Sequence, residues 1–239
     1  MRQTAAQPVN KPTITRRRLL QGVVAGSALM AAGMVDSWLV EPGHLMLRNV
    51  EIWLEQLPYG FDGLRIAQLS DFHYVNTSDG RLIHRAVELA NSLKPDIVAL
   101  TGDYVTSFGT NGSADSRCIL PCAEILSDLR TPLGVFAVLG NHDYCDPQLI
   151  SRTLESHGIA VLRNLAIYIE RNDERLWIAG IEDVLTGKAR LDQTLKTVPE
   201  AGTTILLAHE PDFAEVTKKY RVALQLSGHS HGVKCVFRS

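Results

Sequence analysis

The chain has only four cysteines in 239 residues, and they form neither a CxxC pair nor a Cys/His zinc-finger spacing. A zinc ribbon or a dense disulfide framework is therefore excluded as the organising device, and free thiols are expected at Cys118, Cys122, Cys145 and Cys235. Cys118 and Cys122 are neighbours on any helix that holds both, a poor placement for a bridge. Internal repeats and low-complexity tracts are also absent. Acid is missing from residues 1–35, which carry Arg2, Lys11, Arg16, Arg17 and Arg18, so without them the net charge moves from −2 to −7. An acidic body of that kind argues against non-specific nucleic-acid binding, unless bound metal ions reverse the local field. What is present is 45% hydrophobic and 21% charged residues, enough for one sizeable core and unlike collagenous or wholly disordered chains.

The first segment reads as an address rather than as part of the fold. Thr15-Arg16-Arg17-Arg18-Leu19-Leu20-Gln21 leads into an uncharged, Gly/Ala-rich run ending at Val35, which resembles a twin-arginine export signal. Residues 1–36 are accordingly expected to be a signal or membrane anchor, with the twin-arginine export machinery as partner. The expected location is extracytoplasmic, either periplasmic or anchored to the cytoplasmic membrane. Ala25-Gly26-Ser27 and Ala31-Ala32-Gly33 are weak cleavage sites. Leu19 to Val35 is seventeen residues long, at the lower limit for crossing about 30 Å of hydrocarbon.

Residues 37–62 form a lead-in, where Leu45, Leu47, Val50, Ile52 and Leu54 alternate as edge strands do before a turn at Pro58-Tyr59-Gly60. The domain proper is expected over 63–239. Five apolar runs in it (Leu64 to Leu69, Asp96 to Leu100, Gly134 to Leu139, Thr203 to Ala208, Val222 to Leu226) read as buried strands. Between the first two, Leu82, Ile83, Ala86, Val87, Leu89, Ala90 and Leu93 recur at helical spacing and Lys94-Pro95 stops them, which makes a βαβ unit. Further helices are expected at Ala123 to Leu129, Pro147 to Ser156, Leu191 to Val198 and Pro211 to Lys219. Short strands at Ile159 to Leu162, Ala166 to Glu170 and Arg175 to Ile181 suggest hairpin pairing in a second sheet.

Each of the five runs ends in a polar island: Asp71-Phe72-His73, Gly102-Asp103, Gly140-Asn141-His142-Asp143, His209-Glu210 and Gly228-His229-Ser230-His231. Parallel strands would gather these islands along one sheet edge. Asp71 and His73 stand two apart, as do His229 and His231, so extended backbone would put each pair on one face. Asp103 offers two oxygens and could bridge two cations. Asn141 can ligate through its amide oxygen without adding charge, leaving the adjacent His142 to hold or protonate a substrate oxygen. Imidazole, carboxylate and amide oxygen together suit hard or borderline divalent ions. His44, His84 and His157 read as surface or structural residues.

In this order, Asp-x-His, Gly-Asp, Gly-Asn-His-Asp, His and Gly-His-x-His resemble the calcineurin-like metallophosphoesterase superfamily over Leu64 to His231. The resemblance implies a four-layer α/β/β/α sandwich. It implies two divalent metal ions (Mn, Fe or Zn), one held by Asp71, His73 and His231, the other by Asn141, His209 and His229, with Asp103 bridging and His142 as the catalytic histidine. It further implies hydrolysis of a phosphodiester or pyrophosphate bond by a metal-activated hydroxide. The alternatives are a phosphomonoesterase or nuclease of the same fold, or a non-catalytic binding scaffold.

Leu69-Ser70-Asp71-Phe72-His73 and Leu226-Ser227-Gly228-His229-Ser230-His231 look like the bacterial YaeI/YkuE-type phosphodiesterase branch, which implies a UDP-2,3-diacylglucosamine-type, lipid-linked substrate of lipid A synthesis. Export conflicts with that substrate, which is cytoplasmic. Relatives continue Gly-His-x-His-Gly-Gly-Gln and add strands, whereas here Gly232 is followed by Val233 to Ser239. A truncated C-terminus is therefore expected, with weaker support for His229 and His231. Specificity is expected from the loops Thr106 to Ser116 and Asp183 to Arg190.

Overall fold

The computed structural model describes residues 45–106, 118–230 and 236–237. The expected signal segment 1–36, His44, nearly all of the Thr106 to Ser116 loop, His231 and Cys235 lie outside the described residues. The chain divides into two compact units, Met1–Arg48 and Asn49–Ser239. Of the first, residues 45–48 are described and contain no helix or strand. No helix among the described residues is long and apolar enough to cross a membrane.

After a 3-10 turn at Tyr59–Phe61, the second unit forms β1 (Ile66–Leu69), α1 (Thr77–Ser92) and β2 (Ile97–Leu100), the expected βαβ unit, with β1 and β2 paired in parallel. Local chemistry sets the limits of α1. Asn76 Oδ1 accepts from Ser78 N at 2.7 Å and Asp79 Oδ2 accepts from Asn76 N at 2.9 Å, which satisfies donors the first turn leaves open. At the other end Lys94 turns to φ 50° ahead of Pro95, and the helix stops. Then follow α2 (Ile119–Leu126), β3 (Val135–Ala137), α3 (Pro147–Ser156) and β4 (Ala160–Val161). Asp146 caps α3 by accepting from Leu149 N at 3.1 Å, and Pro147 occupies its first position. These four strands form one parallel sheet in the order β1-β2-β3-β4.

The second sheet opens with a hairpin of β5 (Leu165–Arg171) and β6 (Glu174–Gly180). Its turn residues Asn172 and Asp173 have φ of 55° and 63°, the left-handed pair a type I′ turn requires. The chain continues through α4 (Leu191–Leu195), β7 (Thr204–Leu207), α5 (Ala214–Thr217), β8 (Leu224–Leu226) and β9 (Val236–Phe237). The strand order is β5-β6-β7-β8-β9, with β6, β7 and β8 parallel and β9 antiparallel to β8.

Three apolar clusters define four layers. Strand alternation sends Val98, Leu100, Val135 and Ala137 toward Ile83, Val87, Leu126 and Leu154 of the helices on the outer face of the first sheet. The intervening residues Ile97, Ala99, Phe136 and Val138 pack with Ile178, Ile205, Leu207 and Leu226 between the two sheets. Leu206, Ala179 and Ala208 point the other way, onto Leu191, Leu195 and Phe213. The result is helix on sheet on sheet on helix, the α/β sandwich expected, with both sheets covered as parallel strands require.

Three expectations need correction. The lead-in has no strand over 45–57; instead Ile52, Leu54 and Leu57 pack on the core between the sheets, and Thr203 Oγ1 donates to the Gln56 carbonyl. Alternation there reports one-sided burial, which extended chain achieves without a ladder. The segment Ile159 to Leu162 belongs to the first sheet, since Ala160 pairs with Phe136 in parallel after the α3 crossover. The helical segment Pro211 to Lys219 opens as a 3-10 turn (Pro211–Phe213) and only then becomes α5.

Candidate metal centre

All the islands within the described residues lie beyond the carboxyl ends of parallel strands. Backbone pairing extends β1 and β2 into the first two: Asp71 N donates to Gly102 O and His73 N to Asp103 O, each at 3.0 Å. Glycine makes the approach of the islands possible. A Cβ on Gly102, which has φ 99°, would run into the Gly140 backbone, and one on Gly140 would run into the Asp103 carboxylate. Asp71, His73, Asp103 and His229 have φ of 57°, 45°, 58° and 66°, left-handed values that are uncommon outside glycine, though Asp and His reach them more readily than most, and that cluster here at the site.

Asp103 lies at the centre and is 2% exposed. Its Oδ2 is 3.2 Å from His209 Nε2 and 3.7 Å from His73 Nε2, while its Oδ1 accepts from His142 N at 2.9 Å. Two donor groups share this carboxylate, with ligand atoms mutually within 4.8 Å: His73, Asp103 and His142, and Asp103, His209 and His229. Asn141 joins the second group, its Oδ1 lying 3.2 Å from His209 Nε2 and 3.0 Å from His229 Nδ1. The two imidazole nitrogens are themselves 3.2 Å apart. Lone-pair atoms at that spacing surround one point, as the ligands of an ion at roughly 2.0–2.2 Å do. The donor set therefore fits a borderline divalent cation.

Asp71 stands on the same rim with a different partner. Its oxygens accept from His229 N at 2.9 and 3.1 Å, so the carboxylate joins the first island to the last and is in neither donor group. His142 lies edge-on to His73, with ring centroids 4.9 Å apart. His231 falls outside the described residues. His84 is exposed beside Glu88, and His157 Nδ1 lies 2.8 Å from the Thr153 carbonyl, consistent with surface and structural roles.

His209 is oriented from behind. Its Nδ1 lies 2.6 Å from the Thr101 carbonyl, which only accepts, so Nδ1 carries a hydrogen and Nε2 faces the site. Burial opposes its charged form, but the hydrogen bond and charge of Asp103, with the Thr101 carbonyl, raise its pKa above the ordinary value. Burial likewise opposes the Asp103 carboxylate, yet the His209 hydrogen bond and charge and the His142 N–H lower its pKa. The proton on His209 Nε2 must leave before that nitrogen can ligate. Metal affinity is thus expected to rise with pH between about 6 and 9, with proton release on binding, measured by titration calorimetry in buffers of different ionisation heat. Affinity independent of pH over that range would contradict the assignment of His209 as a ligand.

Five residues support the centre without being candidate ligands, and two of them, Asp143 and Glu210, lie within the islands themselves. Gln68 Nε2 donates to the Ser227 carbonyl at 2.7 Å and to Thr101 Oγ1 at 3.1 Å, tying together the strand ends that carry three islands; its only signal is a polar residue inside an apolar strand. Asp143 is fully buried and accepts from backbone N–H groups on two islands, against a burial penalty that pushes its pKa up to about 7. Asp183 and Glu210 form a buried acid pair beside His209. Burial, and then the hydrogen bond and charge of Asp183, raise the Glu210 pKa. Glu210 Oε2 also accepts from Val184 N at 3.2 Å, which fixes the Asp183 to Arg190 loop beside the site. Tyr144 Oη accepts from Asp183 N at 3.1 Å on the same side.

The model of the calcineurin-like phosphoesterase family matches residues 64–233. The uncharacterized metallophosphoesterase YkuE of Bacillus subtilis is 30% identical over 226 residues, covering 92% of this chain and 77% of that protein. The phosphodiesterase YaeI of Escherichia coli is 32% identical over 228 residues, covering 92% and 78%. The UDP-2,3-diacylglucosamine pyrophosphatase LpxG of Chlamydia muridarum is 24% identical, covering 87% and 77%. Two longer animal relatives are spanned over 45% and 50% of their length. This chain belongs to the calcineurin-like phosphoesterase family, of the branch that includes YkuE and YaeI, and is a metal-dependent phosphoric ester hydrolase.

Proposed function

We propose that the chain hydrolyses a phosphodiester or pyrophosphate bond at a two-ion centre bridged by Asp103. The observation that supports this most is Asp103 Oδ2, 3.2 Å from one imidazole and 3.7 Å from another in two different donor groups. In this reading His73, Asp71 and His231 hold one ion, and Asn141, His209 and His229 the other. The ions, Mn, Fe or Zn by donor type, would supply charge neutralisation for the phosphoryl oxygens and a water acidic enough to attack at neutral pH.

The remaining chemistry belongs to the side chains. Asn141 contributes an oxygen without charge, so the second donor group stays less anionic and tolerates an approaching phosphate. His142 gives its proton to the departing oxygen, which otherwise leaves as an alkoxide. His209 is kept in one tautomer by the Thr101 carbonyl and cannot turn away. The left-handed backbone at Asp71, His73, Asp103 and His229 keeps the donors converged before substrate arrives.

The substrate class rests on the relatives' names: YaeI is named a phosphodiesterase and LpxG a UDP-2,3-diacylglucosamine pyrophosphatase. A lipid-linked pyrophosphate follows from the second name, whereas Arg16-Arg17 favours export by the twin-arginine route and anchoring at, or release from, the outer face of the cytoplasmic membrane. The two are compatible only for a substrate that reaches that face. Metal analysis of the purified chain, together with turnover of an aryl phosphodiester, its monoester and UDP-2,3-diacylglucosamine, tests the reading. Diester or pyrophosphate hydrolysis that follows metal content is expected. A fully loaded chain that cleaves only the monoester would overturn the substrate class, and one that cleaves none would overturn the catalytic reading.

A further inference from the structure

The fourth residue of the third island has no role in the two-ion reading, yet it makes the densest set of contacts at the centre. Asp143 is 0% exposed. Its Oδ2 accepts from Asp103 N and from Gly140 N, both at 2.8 Å, and its Oδ1 accepts from Tyr104 N at 2.9 Å and Val105 N at 3.4 Å. One carboxylate thus gathers backbone donors from two loops that are separated by about 40 positions in the sequence.

The contact is reciprocal. Asp143 takes the backbone N–H of Asp103, and Asp103 Oδ1 takes the backbone N–H of His142, next to Asp143, at 2.9 Å. Two aspartates therefore interlock the second and third islands, each holding the other's main chain. The glycines leave no slack, because a Cβ at Gly102 or Gly140 would collide with the opposite loop. Asp103 itself sits at φ 58°, a left-handed conformation that Asp tolerates better than most side chains and that the surrounding contacts hold in place. The N–H groups before and after that position are held by the Asp143 carboxylate.

We infer that Asp143 is a positioning residue: its buried carboxylate clamps the Asp103 and Gly140 loops so that Asp103 Oδ2 stands between the two donor groups before any ion binds. It belongs to neither donor group. The asymmetry of hydrogen-bond energetics gives the clamp its importance, since a buried carboxylate or a buried N–H left without its partner is costly. Asn is nearly isosteric but offers one acceptor oxygen and puts an NH₂ against backbone donors, so it cannot hold both loops.

The inference rests on the two-ion reading for its effect on affinity, but not for the clamp itself, and the test keeps the two apart. In the full-length chain stripped of metal by chelator, hydrogen exchange of the Asp103, Tyr104 and Gly140 amides is expected to be slow, comparable with amides of β2. Fast exchange of these amides in the stripped protein, with protection appearing only on metal addition, would overturn the clamp, because the ion and not Asp143 would then order the loops. In Asp143→Asn, divalent-metal affinity of the folded fraction is expected to fall about 10–100-fold, the range for partners that orient ligands from outside the first sphere. Cobalt-substituted protein should show altered ligand-field bands. A variant that melts at lower temperature yet binds cobalt with wild-type affinity and spectrum would assign Asp143 to stability alone. If the variant does not fold, the exchange result on the wild-type chain still decides. Failure of metal binding by a wild-type chain whose amides are protected would sink the two-ion reading and leave the clamp standing.

Discussion

Asp103→Asn is expected to fold, to retain the His142 contact and to lose phosphodiester turnover to below about one hundredth of wild type. The fold survives because Asn Oδ1 can still accept from His142 N, the 2.9 Å bond made by Asp103 Oδ1. What changes is the other oxygen, replaced by an NH₂ group that points at His73 Nε2 and His209 Nε2, where a ligand lone pair stood. Changes to outer partners of metal ligands already cost about 10–100-fold, so removing an oxygen shared by both donor groups should exceed that range. The His209 pKa should fall as well, because the Asp103 hydrogen bond and charge are what raise it against burial. Steady-state kinetics, metal analysis and an imidazole titration followed by NMR measure all three. Near-normal turnover with two ions bound would refute the bridging role.

His142→Ala should have the second largest effect, and one of a different kind. The backbone N–H at this position survives the substitution and would still donate to Asp103 Oδ1. Metal content should therefore stay close to wild type while kcat drops about 10²–10⁴-fold, the usual contribution of a positioned general acid. The loss should depend on the leaving group. An aryl phosphodiester releases a stabilised phenolate and needs little protonation, whereas an alkyl ester releases a strong base and needs it fully. Plotting log kcat against leaving-group pKa should therefore give a steeper slope for the variant than for the wild type. An equal loss across the series would mean that His142 holds substrate or an ion rather than supplying a proton. The second alternative has a structural basis, since a His142 ring nitrogen lies within 4.8 Å of ligand atoms on His73 and Asp103.

Much of the framework is legible in the sequence because buried parallel strands are written as uninterrupted apolar runs, and their carboxyl ends lie at one edge. The runs ending at Leu69, Leu100, Leu139, Ala208 and Leu226 each contain a strand, and the helix between Lys94-Pro95 and the first island is marked by its period. Alternation misleads where burial and ladder pairing part company, as at Ile52 and Leu54, which pack on the inter-sheet core without belonging to a strand. Sheet membership of β4 is also illegible: two residues, Ala160 and Val161, carry no sign of whether they pair forward with β5 or back with β3.

Within the site the candidate ligands stand out because five apolar runs in order each end in His, Asp or Asn, although such residues are ordinary at any single strand end. The supporting contacts do not. Backbone N–H groups look the same at every position, so the four that converge on Asp143 leave no trace in composition or period. The buried acids Asp183 and Glu210 come from different strand ends and meet only through the β6–β7 pairing. Left-handed backbone at Asp71, His73, Asp103 and His229 is equally invisible, being imposed by the loops' mutual contacts rather than by residue type.

In the proposed centre one carboxylate, that of Asp103, is shared by two divalent ions. Electron paramagnetic resonance of the full-length chain loaded with two equivalents of Mn²⁺ tests it most directly. An exchange-coupled dinuclear signal is predicted for the wild type, replaced by the signal of isolated ions in Asp103→Asn. Isolated Mn²⁺ ions in the wild-type protein at full loading, or saturation at a single ion per chain, would rule out a carboxylate shared by two ions.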